Sequence, residues 1–133
     1  MNRSDIRLSV ASDDAGVRDI RWEADDAPEP GQQHATAMLL SLWDADARNA
    51  LRIDLWTQDM TVEDMNDFFF QTLLTLADTY KNATGDANLM SDIKAFAREF
   101  AEKASDRERA SGGEACPPVA VPPPGSPPPS SRP

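Results

Sequence analysis

Residues 42–65 read LWDADARNALRIDLWTQDMTVEDM and contain the change from extended chain to helix on which the fold depends. Leu51, Ile53 and Leu55 alternate with other residues, which is typical of a strand that buries one face. Thr61 then stands at a suitable position for a helix N-cap, because its side-chain oxygen can accept a hydrogen bond from a free backbone N–H. The stretch therefore predicts a strand followed closely by a helix.

Two amphipathic helices are predicted downstream of this stretch. Apolar residues recur at spacings of three and four from Val62 to Ala83, and Gly85 follows as a residue able to end the helix in a left-handed conformation. Asp86 is suited to cap a second helix. The apolar face of this second helix carries Leu89, Ile93, Phe96 and Phe100.

The chain before residue 42 indicates extended structure. Residues 6–10 and 20–23 alternate between apolar and polar side chains, and a turn sequence that ends in Gly16 lies between them, so they predict a hairpin. Residues 25–34 form a polar loop without a predicted element. Residues 35–43 fit either a strand or a helix, and the strand is favoured because a clearly alternating strand follows.

The predicted fold class is α+β, with an antiparallel four-stranded β-meander followed by two amphipathic helices packed on one sheet face. If residues 35–43 were helical, the order would be ββαβαα. Residues 1–105 are predicted to form a single domain. Nine of the eleven prolines lie beyond residue 110, so residues 106–133 are predicted to be a disordered proline-rich tail.

Composition limits the partners and the compartment. The formal net charge of −10 opposes binding to nucleic acid or to an anionic membrane. The sequence has no apolar run long enough for membrane insertion and no signal-peptide pattern at its N-terminus. Cys116 is the single cysteine, so no disulfide can form within the chain. We expect a cytoplasmic protein.

The acidic residues of the opening stretch do not match a known catalytic or metal-binding motif. Asp44 and Asp46 begin a calcium-loop pattern, but Arg48 occupies the third ligand position. His34 is the only histidine, whereas zinc sites need clustered histidine or cysteine. We therefore expect no catalytic residue, no cofactor and no metal, and we do not expect an enzyme.

Tryptophan placement predicts a partner surface. Trp56 has the opposite parity to the alternating apolar residues before it, so its side chain should lie on the other side of the sheet, where Trp43 and Leu39 could join it. An exposed apolar patch of this kind would mark a protein–protein interface. The competing interpretation is that Trp56 covers the edge of the core where the chain leaves the sheet.

The sequence from about residue 4 to residue 104 resembles the GldC family of proteins linked to bacterial gliding motility. The resemblance rests on LSLWD at residues 40–44, LRIDLWT at residues 51–57, and the hairpin and helix sequences around them. The proline-rich tail lies outside it. The resemblance implies a small, non-enzymatic, cytoplasmic accessory protein without cofactor or catalytic residue.

Three functional hypotheses follow in order of preference. The first is an accessory or interaction protein of the gliding-motility type that binds a protein partner or forms a homo-oligomer. The second is a small hydrolase or metal-dependent enzyme that uses Asp44, Asp46, Asp54 and Asp59. The third is a chaperone-like module that binds peptides on an apolar sheet face.

Overall fold

The computed structural model describes residues 1–119. Two compact units divide the described residues: Met1–Met60 together with residues 117–119, and Thr61–Cys116. The strands of the described residues lie in the first unit and the helices in the second. The predicted α+β class is confirmed.

The first two strands form the predicted hairpin. β1 (Ile6–Asp13) pairs antiparallel with β2 (Gly16–Ala24), and a bulge interrupts the register between Ala11 and Ser12. Gly16 begins β2 with φ of 130°, a backbone conformation that glycine adopts without a steric penalty from Cβ.

The predicted four-stranded meander is wrong, because the strands form two sheets. A short β3 (Gln33–Ala35) completes a three-stranded sheet in the order β1-β2-β3. The chain then bends at Thr36, whose carbonyl accepts a hydrogen bond of 2.9 Å from the N–H of Thr57. Most of β3 lies where a polar loop was predicted. The prediction missed this strand because three residues can pair through their backbones without an alternating apolar pattern.

The second sheet consists of β4 (Ala37–Asp44) and β5 (Asn49–Trp56), which pair as an antiparallel ribbon. The strand prediction for most of residues 35–43 is thereby confirmed, and the ββαβαα alternative is wrong. The sheets are separate because the residue between β3 and β4 redirects the backbone.

The first helix begins and ends as its sequence predicts. In α1 (Val62–Thr84), the Thr61 hydroxyl oxygen accepts a hydrogen bond of 3.1 Å from the N–H of Asp64. Gly85 has φ of 78°, and its N–H donates to the carbonyl of Lys81 at 2.7 Å. Both ends therefore use local hydrogen bonds to satisfy free backbone groups.

The second helix, α2 (Ala87–Ser111), begins after Asp86, whose carboxylate accepts a hydrogen bond of 2.9 Å from the N–H of Leu89. It continues to Ser111, whereas the tail was predicted to begin at residue 106. Residues 120–133 of the predicted disordered tail lie outside the described residues. No helix within residues 1–119 is long and apolar enough to cross a membrane.

The helices pair with one another through small residues. Ala77 of α1 and Ala97 of α2 are fully buried, and small side chains let two helix backbones approach closely. The rings of Phe69 and Phe100 stack with centroids 6.4 Å apart. Packing of the helices on a sheet face concerns the relation between the two units and stays a prediction.

The core of the first unit is small. Its buried apolar residues among those described are Val17, Ile20 and Met60. Thr57 is buried beside them, and its hydroxyl has no hydrogen-bond partner within residues 1–119. A buried hydroxyl that makes no hydrogen bond costs about 1–3 kcal/mol of stability, because it gives up hydrogen bonds to water on folding.

Candidate functional site

The β4–β5 ribbon has two chemically different faces, and the predicted partner residues share one of them. In the register of the ribbon, Trp56 lies opposite Ala37, Leu39 opposite Asp54, and Trp43 opposite Ala50. Because side chains alternate along a strand, these residues all project from the same side. We call the set of Leu39, Trp43 and Trp56 the tryptophan face.

Trp43 is the most exposed member of the tryptophan face. Its exposed fraction is 63 %, and that of Leu39 is 44 %. The guanidinium carbon of Arg48 lies 5.9 Å from the centroid of the Trp43 ring, a distance at which a cation is attracted to the aromatic face. Large apolar groups thus remain accessible at the turn end of the ribbon.

Trp56 lies at the other end of the tryptophan face and is partly covered by the chain itself. It is half-buried, and its indole N–H donates a hydrogen bond of 2.6 Å to the carbonyl of Pro117. Sequence reasoning missed Pro117, because it lies in the predicted tail and no local pattern relates the two residues.

The opposite side of the ribbon is more apolar. This aliphatic face consists of Met38, Leu40, Leu42, Leu51, Ile53 and Leu55. Sequence parity predicts it as the buried side, yet Leu42, Leu51 and Ile53 are 59 %, 49 % and 51 % exposed. Alternation therefore separated the two faces but did not indicate how much of each is covered.

The helical unit contains a groove of about 340 Å³ near the start of α1 and the end of α2. Phe96 and Phe100 line it on one side, with ring centroids 6.4 Å apart. Two of its polar residues, Asn66 and Glu108, hydrogen-bond to each other at 2.9 Å. The groove is thus lined by aromatic rings on one part and by charged and polar side chains on the rest, which include Lys103 and Arg107.

Of the acidic residues of the second hypothesis, Asp44 and Asp46 share the turn between β4 and β5. Asp54 lies on β5 and Asp59 lies after it. Asp44 accepts hydrogen bonds from the backbone N–H groups of Asp46 and Ala47 at 3.0 and 3.1 Å, which stabilises the turn between β4 and β5. Asp54 lies opposite Leu39 on β5. Within residues 1–119, no group of three or more His, Cys, Asp or Glu side chains is placed to hold a metal ion.

His34 and the perturbed carboxylates belong to ion pairs of the three-stranded sheet. His34 Nδ1 lies 3.2 Å from an oxygen of Asp19. The Arg21 guanidinium and the His34 imidazole hydrogen-bond to Asp19 and lower the pKa of its carboxyl. The backbone N–H of Asp5, with the Arg7 guanidinium, lowers the pKa of Asp25 in the same way.

Cys116 is a poor nucleophile. Burial raises the pKa of its thiol, and the nearby Asp64 carboxylate raises this pKa further. A thiol with a raised pKa stays protonated at neutral pH, whereas the thiolate is the reactive form. Neither Cys116 nor the ion pairs provide an activated catalytic group.

The described residues define a small α+β protein with antiparallel hairpins, a helical hairpin and exposed aromatic side chains. A family model for gliding motility-associated proteins, GldC-like, matches residues 17–106, more than half of the 133 residues. The chain belongs to the GldC-like family, which is linked to gliding motility. No curated protein and no solved structure matches it.

Proposed function

We propose that this chain is a non-enzymatic, cytoplasmic accessory protein of the gliding-motility type that acts by binding a protein partner through the tryptophan face. The observation that carries the proposal is the 63 % exposure of Trp43 together with the 44 % exposure of Leu39 on the same face. Tryptophan is enriched among the residues that contribute most to protein interfaces, because its large ring is desolvated on binding. A partner that covers Trp43 and Leu39 would remove this apolar surface from water.

Charge supports the choice of a protein partner. The acidic chain, with net charge −10, repels phosphate backbones and anionic lipid. The tryptophan face also contains polar positions, since Arg52 lies opposite Ser41 and Asp54 opposite Leu39. These polar positions lie between Trp43 and Trp56 along the ribbon, and a protein–protein interface contains hydrogen-bonding groups as well as apolar ones.

The proposal is tested by comparing two neighbouring residues of one strand. Trp43→Ala removes the exposed ring of the tryptophan face, whereas Leu42→Ala changes a similarly exposed side chain, 59 % accessible, on the aliphatic face. Parent and variants, each tagged and full-length, are crosslinked in the native cells, and the captured proteins are quantified by mass spectrometry.

We expect Trp43→Ala to lose a partner that both the parent and Leu42→Ala retain. Both variants should stay folded with similarly small losses of melting temperature, because truncating a half-exposed apolar side chain should cost about 1 kcal/mol of unfolding free energy. Retention of every captured protein by Trp43→Ala would refute the proposal. A loss of partner in both variants would place the interface elsewhere on the ribbon.

A further inference from the structure

The hydrogen bond between Trp56 and Pro117 joins a tryptophan of the ribbon to a proline 61 positions later in the chain. An indole has a single N–H donor, and here it is directed at the backbone carbonyl of a proline. Proline-rich segments are bound in this chemical manner by aromatic-lined grooves, since the extended polyproline conformation is already ordered before binding.

Gly16 provides space for the same segment. A Cβ at Gly16 would lie 3.7 Å from Cβ of Pro118 and 3.3 Å from Nε2 of Gln58. The proline ring therefore contacts a position at which the backbone carries no side chain. Trp56 donates to Pro117, and Gly16 lies against Pro118 and Gln58. We call Trp56, Gly16 and Gln58 the proline site, and residues 117–119 are its resident segment.

In the chain, the resident segment comes directly after a stretch that is anchored in the helical unit. Ala115 forms an isolated antiparallel bridge with Thr61, and the carbonyl of Glu114 accepts a hydrogen bond of 2.8 Å from the N–H of Val62. Residues 117–119 themselves form no strand. Among the described residues of the first unit, the Trp56 indole donates the side-chain hydrogen bond that holds this segment.

We propose that the proline site is a binding site for an extended proline-rich segment of the protein partner, and that residues 117–119 of the same chain occupy it in competition. This inference rests on the proposed function and adds the chemistry of the partner. Trp56 belongs both to the tryptophan face and to the proline site, so a partner that covers the face must displace the resident segment or bind around it.

The strength of the competition follows from the contact. One neutral hydrogen bond changes an equilibrium constant by about fivefold. When the resident segment leaves the site free in only a fraction of molecules, the apparent affinity for an added ligand is lowered by that same fraction. Weakening the resident segment should therefore tighten the binding of an added proline-rich peptide by about fivefold.

The test uses the full chain labelled with ¹⁵N, in which the indole N–H groups of the three tryptophans give separate NMR signals. Trp56→Phe assigns the Trp56 signal, and Trp43→Phe serves as its matched control. The probe is a synthetic peptide with the sequence of residues 114–125, in which serine replaces Cys116. A second peptide, with alanine in place of every proline, is the control.

The Pro117→Gly, Pro118→Gly variant keeps the carbonyl that accepts from Trp56 but loses the rigid extended backbone that presents it, which weakens the resident segment. We expect the proline peptide to shift the Trp56 signal, with an apparent Kd about fivefold lower in this variant. The alanine peptide should have no effect. If millimolar proline peptide leaves the Trp56 signal unchanged in both chains, the inference is wrong. A Trp56 signal that varies with protein concentration alone would assign the resident segment to a second copy and overturn the proposed competition.

If the Pro117→Gly, Pro118→Gly variant does not fold, a hydrogen-exchange measurement on the parent chain still tests the inference. Hydrogen exchange of the Trp56 indole should be slower than that of Trp43, because its proton is held by Pro117; equal rates would overturn the inference. Partner capture that depends on Trp43, without any peptide response, would refute the proline site alone. Peptide binding at Trp56 without such capture would refute the proposed function alone.

Discussion

Replacing Ile20 by alanine should destabilise the protein far more than the same replacement of Ile53. Both are isoleucines inside strands and both face the apolar side of their sheets, Ile20 opposite Val10 and Ile53 opposite Leu40. They differ in burial, since Ile20 is 1 % exposed and Ile53 is 51 % exposed. The comparison therefore isolates burial from residue type and from secondary structure.

The magnitudes follow from the groups that are removed. Truncating a buried isoleucine to alanine loses its transfer free energy and leaves a cavity, which together cost about 3–4 kcal/mol of unfolding free energy. At Ile53 about half of the transfer free energy is lost and no cavity forms, so we expect a loss of about 1 kcal/mol. Because a domain has only about 5–15 kcal/mol of stability, Ile20→Ala should be severely destabilised.

Urea unfolding, followed by far-ultraviolet circular dichroism, measures both losses. We expect midpoints that differ while the slopes agree, since the slope reports the surface exposed on unfolding. Equal losses for Ile20→Ala and Ile53→Ala would refute the reasoning, because they would mean that the aliphatic face is covered in solution. Unfolding midpoints that rise with protein concentration would then identify a second copy as the cover.

Two further substitutions test local features. Thr57→Val should raise the unfolding free energy by about 1 kcal/mol in the same urea assay, because it removes a buried hydroxyl that is unpaired within the described residues, whereas Thr57→Ser should lower it. As the pH is lowered, the melting temperature of Asp25→Asn should fall less steeply than that of Asp26→Asn. The pKa of Asp25 is lowered by the Asp5 N–H and then by Arg7; its carboxylate therefore stabilises the fold above the ordinary pKa of about 4, and this stability is lost as the pH falls through the lowered pKa. Equal acid sensitivity of the two asparagine variants would contradict the second prediction.

The helix ends could be predicted from sequence because their interactions are local. Thr61 accepts from an N–H three residues away, and Gly85 donates to a carbonyl four residues back. Alternation likewise placed Leu39, Trp43 and Trp56 on one side of the ribbon, because the side-chain period of a strand is independent of what packs against it.

The arrangement of the strands could not be predicted in the same way. β3 spans Gln33–Ala35, too short for a periodic pattern, and its pairing with β2 uses backbone groups that every residue type carries. The bend at Thr36 depends on the N–H of Thr57, which lies far along the chain. Without that contact, a continuous meander was the simpler expectation.

Residue order alone determined the local elements: where the long strands run, where each helix begins, and which side chains share a face of the ribbon. These properties depend on neighbours within about four positions. Only the tertiary structure decided that the strands form two sheets, that Pro117 covers the Trp56 indole, and that Leu42 and Ile53 stay half exposed. Each of these outcomes depends on segments distant in the sequence, whose meeting is set by the packing of the whole fold.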